Sequence, residues 1–275
     1  MTLKLVEKKQ LRDFRRGRIN LRKEIRRQSR LRNNLEKKVY RQLLSIFSRF
    51  VNTKAYLIRE FNQYDADIAA RDLREEIEPV MYMHYRQVFR AIYDNNEAIY
   101  ETEKKAVEAV VFGRNIDIED LINLYNRDRL LYLSGISISV ARKVAQIIEE
   151  GRDEDLSLNQ LARRITEKVL PISRSRAALI ARTETHNAAS FANHNYHDTL
   201  RKDLGVNMMK RWVSTADERT RSAHVEANGQ IRNMDEDFDI GGSPMNHAGD
   251  PKGGAKNVVN CRCVIVYADE RDIVL

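Results

Sequence analysis

The residues that bend or interrupt a polypeptide backbone are concentrated in one stretch near the end of this chain. Between Trp212 and Cys263 lie the only tryptophan, both cysteines, two of the six histidines and more than half of the glycines and prolines. Glycine and proline are the strongest local markers of turns and loops. We therefore expect the 275-residue chain to be largely helical before this stretch, and to form short strands and loops within it.

Apolar residues recur three or four positions apart early in the chain, which is the spacing of one face of a long helix. They are Leu21, Ile25, Leu31, Leu35, Val39, Leu43, Ile46 and Phe50. Helical patterns continue beyond them. Because proline and glycine disfavour helix interiors, we predict breaks at Pro79, Gly135, Gly151 and Pro171. Ser157 and Gln160 have the spacing of a capping box, which predicts that a helix begins there.

Strands are predicted on either side of the glycine-rich region. The first covers Met208 to Val213, and the last covers Cys261 to Tyr267, where alternation would place both sulfurs on one face. Thr220 is predicted to cap a short helix between them. The fold class is therefore α+β, with a largely helical N-terminal part, a basic leading helix, and C-terminal helices on a small, mostly antiparallel sheet. We predict a basic helical arm at residues 1–62, a helical region at 63–152 and a compact domain at 153–270.

The first sixty residues carry most of the positive charge, with nineteen Lys and Arg against five Asp and Glu. The chain as a whole has a net charge of only +8. Such a basic segment has three interpretations: it binds nucleic-acid phosphates, it docks on an acidic protein, or it keeps the chain in solution. The candidate phosphate-binding residues are Arg12, Arg15, Arg16, Arg18, Arg22, Lys23, Arg26, Arg27, Arg30 and Arg32.

The sequence contains no run of eighteen apolar residues and begins without the apolar core of a secretory signal, so we expect a cytoplasmic protein that has no membrane partner. Cys261 and Cys263 are too close in sequence to form a disulfide with each other. Two sulfurs on one face of a strand can contribute to a tetrahedral zinc site. His224 and His247 are the candidates for the remaining ligands, and Asp217 is a weaker one. The alternatives are that the thiols pack as small apolar residues, or that they have a redox or catalytic role.

Several charged residues are candidates for a structural polar network in which an arginine pairs with a carboxylate. They are Arg182, Glu184, Asp217, Arg219 and Arg221. The sequence has no glycine-rich phosphate loop, no nucleophile elbow and no helical His-x-x-x-His pair. We therefore assign no catalytic residue and expect a protein that is not an enzyme.

The C-terminal part of the sequence resembles a known family. The resemblance lies in the segment from Ile180 to Thr185, in a tryptophan followed by Asp-x-Arg-Thr-Arg-x-x-His, in Gly229 and Pro244, and in a final Asn-Cys-Arg-Cys ending at Cys263. Together these motifs resemble the phage Mu F-like minor head proteins, also called phage head morphogenesis proteins, over roughly residues 155–268.

This resemblance implies a minor capsid protein that lies at the portal vertex inside the procapsid, is made in the host cytoplasm and remains in the virion. Its implied partners are the portal protein, packaged double-stranded DNA, and the major capsid or scaffold protein. The implied roles are head morphogenesis, DNA packaging and DNA ejection. The alternative is a zinc-dependent hydrolase, nuclease or toxin-like enzyme that uses the histidine and cysteine cluster, which would need an open coordination position on the metal.

Overall fold

Four long helices account for most of the chain in the computed structural model, which describes residues 21–104, 118–204, 207–215 and 217–269. The helices are α1 (Leu21–Phe61), α2 (Ala66–Lys104), α3 (Ile118–Asp153) and α4 (Leu158–Leu204). The predicted long leading helix is thus confirmed. Its apolar stripe is largely buried, since Val39 and Leu43 are fully enclosed. The predicted end of a helix near Gly151 is also confirmed, because α3 ends two residues later.

Three of the predicted helix breaks are wrong. Pro79 lies inside α2, Pro171 lies inside α4, and Gly135 lies inside α3. All three residues are exposed, so the carbonyl that each proline leaves without an intrahelical bond can accept a hydrogen bond from water. Buried residues on the opposite face, such as Ile77 and Met81 in α2, hold the helix in place across the proline. Burial of the apolar face therefore outweighs the local preference.

Side chains define the start of two of these helices. The predicted capping box before α4 is confirmed, because the Ser157 backbone N–H donates to Gln160 Oε1 at 2.9 Å and the Gln160 backbone N–H donates to Ser157 Oγ at 3.4 Å. At the start of α2, Asp65 Oδ1 accepts from the backbone N–H groups of Asp67 and Ile68, each at 2.9 Å.

The described residues form two compact units. Unit 2 comprises residues 35–86 and 119–182 and is made of helical segments only. Its core includes Phe47, Ile77 and Tyr85, whose ring packs edge-on against Tyr125 at 5.0 Å between centroids. The segment Leu131–Asp153 is long and apolar enough to cross a membrane by composition alone, and 44% of it is buried inside the protein.

Unit 1 comprises the described residues up to Asn34, residues 87–118 where described, and the described residues from Thr183 onwards. All of the strands lie in this unit. They are β1 (Met208–Val213), β2 (Ile231–Asn233), β3 (Phe238–Ile240), β4 (Ser243–Met245) and β5 (Val264–Asp269). Two short helices, α5 (Ser222–Glu226) and α6 (Gly254–Val258), and a 3-10 turn at Pro251–Gly253 lie between them.

The strands of unit 1 form two small antiparallel sheets. One has the order β2-β1-β5, with Val213 paired to Val264 and Trp212 paired to Ile265, and the other is the β3-β4 hairpin. Val213, Val264 and Val266 form a buried cluster against which Ile25 of α1 packs. The α+β prediction is confirmed. The three domain boundaries taken from the sequence remain predictions.

Two local predictions in unit 1 are wrong. The last strand begins at Val264, so Cys261 and Cys263 lie in the segment that leads into β5. The residue preceding α5 is Arg221, while the Thr220 hydroxyl hydrogen-bonds Asp217 and the Thr215 carbonyl. Thr220 therefore closes the loop before the helix, and it does not cap the helix.

Candidate metal centre

Three buried side chains in unit 1 converge in the manner of metal ligands. His224 lies on α5, and Cys261 and Cys263 lie between α6 and β5. Each is at most 2% exposed. The Nδ1 atom of His224 is 3.3 Å from Cys263 Sγ and 3.7 Å from Cys261 Sγ, and all three candidate ligand atoms lie within 4.8 Å of one another. We call these three residues the sulfur pocket.

The spacing within the sulfur pocket matches a tetrahedral zinc site. Zinc binds thiolate sulfur at about 2.3 Å and imidazole nitrogen at about 2.0 Å, so ligands at tetrahedral angles are about 3.5 Å apart from nitrogen to sulfur. The two distances measured from His224 lie on either side of this value. The residues present can therefore hold a zinc ion or a similar soft divalent cation.

Backbone contacts fix the segment that carries the two cysteines. The Thr215 hydroxyl donates to the Arg262 carbonyl at 3.0 Å, and the Asn260 backbone N–H donates to Thr183 Oγ1 at 3.2 Å. Asn260 has a φ of 57°, which turns the chain directly before Cys261. The antiparallel pairing of β5 with β1 holds the other end of the segment.

The two thiols shift each other's pKa in opposite directions. The pKa of Cys261 is held well below its usual range, first by a hydrogen bond from Cys263 and then by His186 and His224. The pKa of Cys263 is raised by its hydrogen bond to Cys261 and by burial. One sulfur therefore has the character of a thiolate, which is the form that binds metals.

His247, which the sequence analysis grouped with these residues, lies elsewhere in unit 1. Its ring packs edge-on against Phe191 at 5.8 Å and lies 5.7 Å from the His194 ring, and its Nδ1 is 3.2 Å from the Ala248 carbonyl. The prediction placed it near the cysteines because its glycine-rich loop had no defined path in the sequence. The grouping of His247 with the cysteines is therefore corrected.

His247 belongs to a second group of rings that pack together. His194 lies beside it, and His197 stacks on Tyr267 with 4.3 Å between ring centroids. We call His194, His197, His247 and Tyr267 the ring cluster. Burial lowers the pKa of His194 to about 2, and His247 contributes further to the shift. The ring cluster contains no sulfur or carboxylate and has the chemistry of a packed core.

The sequence analysis missed a residue that lies next to the sulfur pocket. His186, on α4, is 4% exposed and close enough to Cys261 to affect the pKa of that thiol. Its Nδ1 lies 2.5 Å from Arg32 Nη1, and burial lowers the pKa of its imidazole. Within the described residues, Nε2 of His186 has no hydrogen bond of good geometry. The signal available in the sequence was its position two residues after Glu184, in the same segment as the family motif.

The predicted network residues have several different partners in the described part of the structure. Asp217 pairs with Arg262, whose two terminal nitrogens lie 2.5 and 2.6 Å from its carboxylate oxygens. Arg262 therefore holds the pKa of Asp217 well below its usual range. Arg219 is 3.8 Å from Asp217 and largely exposed, while Arg221 donates to the Val259 carbonyl at 2.6 Å.

The two remaining members of the predicted network lie on α4. Arg182 pairs with Glu36 at 3.4 Å within unit 2. Glu184 is completely buried within unit 1. Because Asp217 pairs with Arg262 at the surface, beside the cysteine segment, it is not one of the metal ligands.

The basic residues of the leading segment divide by position. Arg12, Arg15, Arg16 and Arg18 lie outside the described residues, and for Arg22 and Lys23 only the helical backbone is described. Arg26 and Arg30 are exposed on α1. Arg27 donates to Asn96 at 3.5 Å, and Arg32 is 8% exposed against His186. Arg32 is thus a core residue of unit 1 and is not available to bind phosphate in this arrangement.

Comparison with known proteins agrees with the motifs and with this geometry. The family model described as Phage Mu protein F like protein matches residues 139–266, a range that contains the sulfur pocket. Residues 139–266 therefore resemble the Mu F-like proteins.

Two curated proteins are similar to the chain over about half of its length. It is 31% identical over 136 residues to minor head protein GP7 of Bacillus phage SPP1, a match that covers 50% of this chain and 43% of GP7. It is 35% identical over 129 residues to the NAD(+)-arginine ADP-ribosyltransferase EFV of Enterococcus faecalis, covering 46% of this chain and 26% of EFV. Each match thus spans less than half of the relative. No solved structure matches the chain.

Proposed function

We propose that this Mu F-like protein is a minor capsid protein of a phage virion that lies at the portal vertex inside the procapsid. The observation that carries the proposal is the Mu F-like domain at residues 139–266, together with its similarity to a minor head protein. The portal protein is the expected principal partner, and the major capsid or scaffold protein is a further one. The protein is made in the host cytoplasm and incorporated during head assembly.

The leading helix gives the protein a physical role in the phage head. Arg26 and Arg30 are exposed on α1, and the dense set of arginines continues from there towards the N-terminal end of the sequence. Arginines that neutralise DNA phosphates release condensed counterions, which gives affinity without sequence preference. We expect this basic face to contact packaged double-stranded DNA, so that the protein acts in DNA packaging or ejection.

The DNA contact can be tested by replacing arginines of the leading segment while keeping the two that pack in unit 1. The variant changes Arg12, Arg15, Arg16, Arg18, Arg26 and Arg30 to Gln and retains Arg27 and Arg32, which contact Asn96 and His186. Substitution is preferable to deletion because deleting residues 1–32 would also remove the packing of Ile25. The matched control changes six exposed arginines elsewhere to Gln, namely Arg71, Arg90, Arg142, Arg163, Arg174 and Arg219.

Binding of the full-length variants to a duplex of arbitrary sequence is measured over a range of salt concentrations. Loss of six phosphate contacts should make the slope of log K against log salt shallower by about 5. The control variant, which has the same net charge, should keep most of the wild-type slope. Equal slopes for the two variants would show that total charge alone drives binding, and would overturn the assignment to the leading helix.

The portal contact has a separate test. The protein is co-expressed with the portal protein, and separately with the major capsid protein, of the same phage, and each pair is purified through a tag on the partner. Stoichiometric recovery with the portal protein supports the proposed location. Recovery with the capsid protein alone would place the chain on the shell and away from the vertex.

We propose further that the sulfur pocket binds zinc and that this zinc is structural. The three residues are at most 2% exposed, whereas a hydrolytic zinc site needs an open position for water and substrate. Burial of all three ligands therefore favours a site that stabilises the fold over the alternative of a zinc-dependent hydrolase or nuclease. Elemental analysis of the purified protein should find one zinc per chain, and a nuclease assay should give the same result with and without a chelator.

A further inference from the structure

We infer that His186 completes the sulfur pocket as the fourth zinc ligand, through Nε2, and that zinc binding displaces Arg32 from His186. This inference rests on the structural zinc proposed above and does not depend on the portal or DNA roles. It converts a three-residue group into a closed site with two cysteines and two histidines, which is a common composition for structural zinc.

The position of His186 supports this role. Its ring is 96% buried, as its exposed fraction is 4%, and interacts with Cys261, and in the arrangement described here it lies just outside the three ligand atoms that are within 4.8 Å of one another. Arg32 approaches Nδ1, so Nε2 is the nitrogen left for the interaction with Cys261, and among the described residues it makes no hydrogen bond of good geometry. A buried polar atom with so poor a contact is costly, and a metal ion at the thiols would give this one a coordinate bond.

Other polar groups near the pocket are less suited to be the fourth ligand. His247 packs against Phe191 and His194, and Asp217 is held by both terminal nitrogens of Arg262 on the surface. Trp212 lies edge-on to His224 at 5.7 Å, but its indole nitrogen is only a donor and cannot bind a cation. Besides His224, His186 is the histidine of the described residues that interacts with Cys261.

The contact with Arg32 has a chemical consequence. A guanidinium has only donors, so in the arrangement seen here Nδ1 of His186 accepts and the imidazole proton lies on Nε2. A neutral imidazole that binds zinc through Nε2 carries its proton on Nδ1, where it needs an acceptor. The Arg32 contact and zinc coordination by His186 therefore exclude each other. When zinc binds, Arg32 must leave His186, and its charge is then free to turn towards the exposed face of α1.

The experiment measures zinc affinity of the full chain by competition with a chromogenic chelator, and coordination by the visible spectrum of the Co²⁺-substituted protein. His186→Ala should lower zinc affinity about a hundredfold and change the tetrahedral Co²⁺ spectrum, because it removes a ligand. His247→Ala is the matched control, since it removes another buried histidine of unit 1, and it should leave both readouts unchanged. Arg32→Met should raise zinc affinity about tenfold, because it removes the competing charged hydrogen bond.

The outcomes distinguish the proposal of a structural zinc from the proposal that His186 is a ligand. A gain of affinity in Arg32→Met cannot arise from misfolding, so it keeps the test decisive even if His186→Ala folds poorly. Wild-type protein that binds no zinc would overturn the structural zinc and this inference together. Wild-type protein that binds zinc, with unchanged affinity and Co²⁺ spectrum in His186→Ala and no gain in Arg32→Met, would overturn the role of His186 alone. Neither result would bear on DNA or portal binding.

Discussion

Unit 1 contains histidines in two settings, the sulfur pocket and the ring cluster, that have different chemistry although buried histidines occur in both. In the sulfur pocket, His224 directs Nδ1 at two sulfurs 3.3 and 3.7 Å away. In the ring cluster, the His194 ring lies beside the rings of His247 and Tyr267. The His197 ring stacks on Tyr267 with 4.3 Å between centroids. Burial by itself therefore does not identify a histidine as a ligand. The atoms that the ring nitrogens face decide its role.

The largest effect that separates the two groups is expected from removal of zinc. A ligand present at about a thousand times its dissociation constant stabilises the folded state by about 4 kcal/mol. Chelation of zinc, or the substitution Cys261→Ser, should therefore lower the Tm by about 10 °C. Differential scanning calorimetry with and without chelator measures this. In Cys261→Ser the chelator should have no further effect, whereas His247→Ala should respond to the chelator as the wild type does.

The next largest effect concerns the loop that carries His247. Gly249 has a φ of 82°, and a Cβ at this position would lie 2.2 Å from Asn187 Oδ1 on α4. The substitution Gly249→Ala should cost about 3 kcal/mol, from backbone strain and from overpacking against α4. Gly242 is the matched control, because its φ is 77° and nothing lies within 4 Å of the corresponding Cβ. Gly242→Ala should cost only about 1 kcal/mol for its positive φ.

Urea unfolding at pH 7.5 gives both free energies. Equal losses for the two alanine variants would mean that the loop does not depend on its close approach to Asn187. The Gly249 variant should also retain zinc, since its loop carries no ligand of the sulfur pocket.

The ring cluster should respond to acid. Burial, together with His247, lowers the pKa of His194 to about 2, well below the value of about 6.5 for an unfolded histidine. Below about pH 6.5, the unfolded chain therefore binds a proton at His194 that the folded chain does not bind. The contribution of neutral His194 to the free energy of unfolding is fully present above about pH 6.5, and it falls by about 1.4 kcal/mol for each pH unit below that value.

His194→Gln tests this dependence. The variant should lose about 2 kcal/mol less than the wild type between pH 6.5 and pH 5, because the titrating group is absent. Unfolding free energies at several pH values, with the chelator present throughout to hold the zinc state constant, measure the difference. An unchanged pH dependence in the variant would mean that His194 is solvated and titrates normally in the folded protein.

The sequence predicted the sulfur pocket better than the ring cluster, for physical reasons. Cys261 and Cys263 were grouped correctly because they are two residues apart. His224 and His247 lie 37 and 14 residues before Cys261, and only the folded path of the chain brings His224, and not His247, to the sulfurs. His186 was missed because its approach to Cys261 depends on how α4 packs in unit 1. Likewise, Pro79 was misread as a break because the buried face of α2 holds the helix together, which no local propensity records.

The long leading helix was predictable because its periodicity extends over many turns. The burial of Arg32 was not, since the charge pattern of α1 gives the same signal for a core arginine as for an exposed one. Arg30 and Arg32 are two residues apart on one helix, and one is exposed while the other is buried. Which of them meets solvent is decided by the residues packed against α1.

The smallest expected effect concerns the ion pair outside the sulfur pocket. Arg262 lies between the two cysteines in sequence, and it pairs with Asp217 on the surface. Both side chains are about one third exposed, so solvent screens the pair. Asp217→Asn should therefore lower the free energy of unfolding by only about 0.5 kcal/mol. If the internal contacts of Thr215 and Thr183 orient the cysteine segment, zinc affinity in this variant should stay within about threefold of the wild type, the factor that corresponds to so small an energy. A large loss of zinc affinity, measured by the same chelator competition, would show that the surface pair positions the sulfurs and that the buried contacts do not suffice.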